Sequence, residues 1–148
     1  MKALVCHRIT DDFSGLELRD IAVPEPGEGE VLVRVKAAGV NFPDLLMSQG
    51  KYQFKPELPF TLGMEVAGVI EAVGEGVTDK KVGDRVAGLF FQNWHDGPPN
   101  PATGPALGAS GCDGMLAEYV ALPERGVVKI AESLSFEEAA TLPCAGVT

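Results

Sequence analysis

Gly29-Glu30-Val31-Leu32-Val33-Arg34-Val35-Lys36-Ala37-Ala38-Gly39-Val40-Asn41 is the stretch on which the fold turns. Val31, Val33 and Val35 recur at every second position, the period of a half-buried strand whose side chains alternate between two faces. The same period runs upstream through Ala3, Val5 and His7 and again through Leu16 and Leu18. Pro24, Pro26, Gly27 and Gly29 separate the second run from the third, because proline withdraws a ladder donor and glycine admits positive φ. Three strands, antiparallel in kind, are therefore expected before residue 40. After them Asn41-Phe42-Pro43-Asp44-Leu45-Leu46-Met47 predicts a short helix, with Asn41 as N-cap, Asp44 in the first turn and Gly50 just past the end.

Downstream, Met64 to Val73 predicts another strand, with Gly68 at a bulge or a close backbone approach and Gly74-Glu75-Gly76 as its turn. Val82-Gly83-Asp84-Arg85-Val86 leads into a strand that is expected to run through Phe91. From Gln92 to Gly114 periodicity stops, and five glycines and four prolines predict a long loop of the kind that binds or moves. Met115 to Leu122 resumes as a strand. Ser135-Phe136-Glu137-Glu138 is a capping box, in which Ser at N-cap and Glu three residues on satisfy each other's backbone donors, so a helix is expected through Thr141. No strand, glycine-rich turn and helix occur in succession with an acidic residue some twenty positions later, so the dinucleotide-binding fingerprint is missing.

Composition narrows the function classes. Twelve Lys and Arg stand against 21 Asp and Glu, a net charge of −9, and the cations are scattered singly. Phosphate neutralisation needs a basic stripe, so nucleic acid is not the expected partner. The most apolar stretch, Leu62 to Gly74, is short and broken by Glu65 and Glu71, which argues against a membrane span. The amino terminus reaches His7 and Arg8 before a signal-peptide core can build. Cys6, Cys112 and Cys144 are odd in number and never in C-x-x-C spacing, which predicts reduced thiols and a cytoplasmic setting.

Few residues offer chemistry on their own. Neither His7 nor His95 has a Cys or His partner at metal-ligand spacing, and chance placement accounts for both. Cys112 has no neighbouring cation to activate it. Asp84 and Arg85 read as a structural pair, and the paired carboxylates Asp11-Asp12, Glu28-Glu30 and Glu137-Glu138 fall on turns or helix starts. Asn41, Asp44 and Tyr52 form the one polar set around an otherwise apolar short helix. On the residues alone, helix capping is the favoured account of Asn41 and Asp44 over catalysis.

The run Gly29 to Asn41 resembles the opening of the medium-chain dehydrogenase/reductase catalytic domain. Phe60-Thr61-Leu62-Gly63-Met64-Glu65-Val66-Ala67-Gly68-Val69-Ile70-Glu71-Ala72-Val73-Gly74, then Val82 to Val86, Leu134 to Ala140 and Leu142 to Thr148 extend the resemblance over almost the whole chain. It implies a mainly β fold, a GroES-like partly open β-barrel with short helices, spanning residues 1–130. Residues 131–148 would begin the connection to a Rossmann domain, which the chain is expected to lack and without which it is expected to be inactive. Zinc enzymes of the superfamily carry Cys at the position of Asn41 and His at that of Met64. Glu65 and Cys144 keep the two other positions associated with the metal, and the four-cysteine structural lobe is missing. Met and Asn are poor zinc ligands, so no metal is expected.

The pattern is similar to the quinone oxidoreductase, zeta-crystallin-like branch, which uses NADPH and no zinc. That likeness implies catalytic roles for Asn41, Asp44 and Tyr52, and cofactor contacts from Asn41, Cys144 and Thr148. A carboxamide and a phenol can hydrogen-bond a carbonyl while hydride arrives from the cofactor. A small-molecule carbonyl or quinone substrate is implied, with a homo-oligomer for the full-length protein. The segment Phe91 to Pro99 is instead more similar to zinc-dehydrogenase-like relatives, so a zinc-type alcohol dehydrogenase-like reading stands beside this one. A third reading is a non-catalytic binding or assembly module that uses loop 92–114.

Overall fold

The structure, a computed structural model, describes residues 1–53, 55–94, 96–98, 103, 106–109 and 112–148. Among them lie eight strands and two short α-helices. Strands β1 (Lys2–Cys6), β2 (Leu16–Asp20) and β4 (Phe60–Thr61) form a small antiparallel sheet in the order β2-β1-β4. Strands β3 (Glu30–Gly39), β5 (Glu65–Val73), β6 (Arg85–Gly88), β7 (Tyr119–Pro123) and β8 (Val127–Lys129) form the larger sheet, ordered β7-β3-β5-β6-β8. The sheets meet where the Leu4 N–H donates to Leu116 O at 2.8 Å and the Leu116 N–H to Leu62 O at 2.8 Å. The result is the expected mainly β, partly open barrel.

Helix α1 (Phe42–Ser48) follows β3 directly, and α2 (Phe136–Ala140) follows β8. The Ser135–Glu138 box closes as expected: the Glu138 N–H donates to Ser135 Oγ at 3.1 Å and the Ser135 N–H to Glu138 Oε2 at 2.8 Å. Ala139 and Ala140 lie against Ala67 and Ala87, small on small, which lets the helix approach the sheet closely. The main core is Val31, Val33, Val66, Ile70, Val86, Leu107, Met115, Val120, Leu122 and Val127.

Several expectations from periodicity fail for tertiary reasons. Leu32 is buried out of phase with Val31 and Val33, because β3 lies between β7 and β5 and its register slips between Leu32 and Val33. Leu18 is 63% exposed, since β2 is an edge strand with nothing over that face. His7 falls beyond β1. Near Gly68 the extra residue sits in the partner strand: Val35 pairs with Gly68 and Ala37 with Ala67, leaving Lys36 bulged, while a Cβ on Gly68 would lie 2.3 Å from Arg34 O. The strand expected through Phe91 ends at Gly88, and that expected from Met115 starts at Tyr119. Leu107, inside the expected loop, is fully buried in the core. His95 and much of the 99–111 stretch lie outside the described residues. No helix among the described residues is long and apolar enough to cross a membrane.

Candidate functional site

The end of β3 and the start of β5 lie side by side, with Gly39 paired to Glu65. Two residues past Gly39 stands Asn41, at the N-cap of α1 with extended backbone, φ −106° and ψ 156°. Its side chain makes no capping hydrogen bond. The Asp44 N–H goes instead to the Asn41 backbone carbonyl at 3.0 Å. Asn41 Nδ2 is buried without a hydrogen-bond partner among the described residues, so the carboxamide holds a donor that helix formation does not use.

Asp44, 1% exposed, supplies its arm of the capping box with Asn41. One oxygen accepts the Asn41 N–H at 2.8 Å and the other the Gly63 N–H at 2.9 Å, which ties α1 to the turn before β5. Burial pushes the Asp44 carboxyl above the ordinary range; the two backbone donors oppose that shift and the Glu65 charge adds to it. Glu65 is also 1% exposed, and one of its oxygens accepts the Ala145 N–H. That bond joins the chain's last segment to the barrel next to Asn41. Thr148 Oγ donates to Cys144 O at 2.6 Å, and burial, then the Glu65 and Asp44 charges, push the Cys144 thiol up.

Thus Asn41, Asp44, Glu65 and the Cys144–Thr148 segment share one end of the barrel. Tyr52 is half-buried on the cluster of Cys6, Met47, Phe60, Leu62 and Met64. Phe90 packs on that cluster too and also lines a cleft of about 450 Å³, together with Leu89, Phe91, Trp94, Cys144 and Thr148. The aromatic edges stack, with centroids 4.7 Å apart for Phe90 and Phe91 and 5.5 Å for Phe91 and Trp94. Trp94 Nε1 donates to Gly97 O at 2.9 Å, so the indole offers the cleft an apolar face.

Two residues escaped the sequence reading as site-builders. Gln92, 6% exposed, donates through Nε2 to the Leu89 and Gly126 carbonyls, and a Cβ on Gly126 would lie 2.0 Å from its Oε1. This clamp fixes the path of the aromatic wall. Arg85 is the other, for it does not pair with Asp84 as expected. Its guanidinium donates to the carbonyls of Ala131 (3.2 Å), Glu132 (3.1 Å) and Leu134 (2.5 Å) and lies 4.6 Å from the Phe136 ring centroid, while Asp84 meets Lys129 at 3.1 Å. Arg85 thereby steers the chain into α2. An arginine following a turn carries no such signal in isolation.

At the positions of superfamily metal ligands, Met64 is buried in a hydrophobic cluster, Asn41 is a carboxamide and Glu65 is engaged by Ala145. Among the described residues no three His, Cys, Asp or Glu are grouped to hold a metal ion. Burial and the Asp113 charge push the Cys112 thiol up, which suits a passive loop residue.

Residues 27–132 match the alcohol dehydrogenase GroES-like domain. A zinc-type alcohol dehydrogenase-like protein of Schizosaccharomyces pombe is 43% identical over 146 residues, covering 97% of this chain and 42% of that protein. An alcohol dehydrogenase of Geobacillus stearothermophilus is 43% identical, covering 100% of this chain and 45% of that protein. The crystal structure of a quinone oxidoreductase from Pseudomonas syringae superposes with a TM-score of 0.75 at 38% identity, covering 99% of this chain and 38% of that one. The chain thus spans less than half the length of these relatives. Barrel, short α1 and matched segment together show that the chain belongs to the alcohol dehydrogenase GroES-like domain family, the catalytic-domain portion of medium-chain dehydrogenase/reductase oxidoreductases.

Proposed function

We propose that this chain, residues 1–130 as catalytic domain and 131–148 as connection, serves an NADPH-dependent reductase of quinones or similar conjugated carbonyls that works without zinc. The observation that carries the reading is the buried, unpartnered Nδ2 of Asn41. An unused amide donor is suited to a carbonyl oxygen, whose charge grows during reduction and strengthens the bond. Bound NADPH would supply the hydride. Asn41 hydrogen-bonds the reacting oxygen, Tyr52 contributes a second polar contact, and Asp44 positions Asn41 by holding its backbone N–H. Cys144 and Thr148 lie where the cofactor's nicotinamide end is received. The aromatic cleft beside them suits a flat, apolar acceptor.

The absence of zinc rests on donor chemistry, since a thioether and a carboxamide replace imidazole and thiolate. Free thiols suit a cytoplasmic protein. A second reading, oxidation of simple alcohols, is favoured by the similarity to the zinc-type relative. Steady-state assays decide between them, run on the 148-residue chain and on the same chain continued into a nucleotide-binding domain. NADPH oxidation with a naphthoquinone is expected from the second protein alone. Alcohol oxidation that depends on added zinc would overturn the proposal.

A further inference from the structure

We propose that Glu65 is the positioning residue that sets residues 144–148 against Asn41. The inference rests on the reading of that segment as the cofactor-facing edge of the site, and three observations carry it. Glu65 is 1% exposed at the first position of β5, so its carboxylate has one fixed place. Its register partner Gly39 has no side chain, and a Cβ there would lie 2.6 Å from Glu65 Oε2, so the carboxylate occupies the room that the glycine leaves. Its other oxygen accepts the Ala145 N–H.

Among the described residues the rest of the segment bonds only to itself and to the end of α2. The Gly146 N–H donates to Thr141 O at 2.8 Å, the Val147 N–H to Cys144 O at 3.4 Å, and Thr148 Oγ to Cys144 O at 2.6 Å. Among the described residues, Ala145 to Glu65 is the single hydrogen bond from residues 143–148 to the barrel. Packing does not substitute for it, because the turn Ala145–Val147 buries no residue and Val147 is 79% exposed. A charged acceptor in a low-dielectric pocket makes a strong hydrogen bond, and here it spans 80 residues of sequence. Glu65 is thus spent on backbone placement, with Gly39 and Asn41 on one side of it and Cys144 and Thr148 on the other.

Amide hydrogen exchange on the 148-residue chain tests the tether. Glu65→Ala should speed exchange at Ala145 by about tenfold or more, while Ile70, whose N–H donates to Asp84 O inside the barrel, stays as it was. Glu65→Gln keeps an acceptor oxygen and should preserve the Ala145 protection to within about threefold. Should Glu65→Ala fail to fold, Glu65→Asp keeps the charge, shortens the reach by one methylene and carries the same expectation. Unchanged exchange at Ala145 overturns the proposal. So does equal acceleration at Ala145 and Ile70, which would make Glu65 a part of global stability only. No cofactor or substrate enters the measurement, so its failure leaves the proposed reaction standing, and absence of turnover leaves the tether standing.

Discussion

The Asp44 carboxylate, on the first turn of α1, accepts the N–H of Gly63 at 2.9 Å, nineteen residues away and just before β5. Gly63 itself is held at φ 111°, with the Met115 and Leu116 nitrogens 2.9 and 2.7 Å from where a Cβ would stand. Helix and turn therefore meet at one buried acceptor, and the Met115 N–H bonds the turn at Gly63 O. Asp44→Asn offers one oxygen to two N–H donors, and the unpaired donor should cost about 1–3 kcal/mol in denaturant unfolding. Because burial raises the folded pKa of Asp44, its favourable contribution is complete below the unfolded value and is lost as pH rises through the folded one. That fall in stability with rising pH should vanish in Asp44→Asn; if it persists, another group is responsible.

Asn41 stands with Asp44 in a capping box but its side chain makes no capping hydrogen bond, so Asn41→Ala should cost no more than about 1 kcal/mol of stability. In the protein that carries the nucleotide-binding domain, the same change should lower kcat/KM for a quinone by about ten- to a thousand-fold. Asn41→Asp should behave alike, since an ionised carboxylate cannot donate. Kinetics near wild type in both variants would remove Asn41 from the chemistry.

Tyr52→Phe keeps the ring against Met47 and Met64 and should unfold at nearly the wild-type denaturant midpoint. A loss of about tenfold or more in kcat/KM is expected from the missing hydroxyl. Lost stability with retained turnover would make Tyr52 a packing residue instead.

Glu124 accepts the backbone N–H groups of Thr78 (2.9 Å), Asp79 and Lys80 (3.0 Å), binding the turn after β5 to the turn after β7. The Asp79 N–H foremost, with those of Lys80 and Thr78, holds its carboxyl below the ordinary range. A depressed folded pKa stabilises above the unfolded value, and that stability disappears as pH falls through the folded one. Glu124→Gln should therefore be less stable than wild type at neutral pH, and the gap should narrow once pH falls below the ordinary Glu range and close below the depressed folded value. Thermal melts of both proteins from neutral to acid pH check this.

Elemental analysis after dialysis should find well under one zinc per chain, and a chelator should leave Tm unchanged. Stoichiometric zinc would return the chain to the metal-dependent branch.

What the sequence determined by itself is what neighbours along the chain decide. The start of α1 at Asn41, the Ser135–Glu138 box and the glycine turn after Val73 follow from capping chemistry and φ preferences within a few residues. Strand period also came through wherever one face alone is covered. It failed at Leu32 and Leu18, because burial there depends on which strand lies alongside, and β4 and β8 are too short to show a period. In the site, residue types made Asn41, Asp44 and Tyr52 candidates but favoured capping over chemistry for Asn41 and Asp44. Only the tertiary structure brought the Gly63 N–H to Asp44 and the Ala145 N–H to Glu65, and left the Asn41 amide without a partner among the described residues, since these outcomes join groups 19 and 80 residues apart or depend on what surrounds a buried atom. Hydrogen-bond partners of buried groups are chosen by three-dimensional proximity, and residue spacing does not encode that choice.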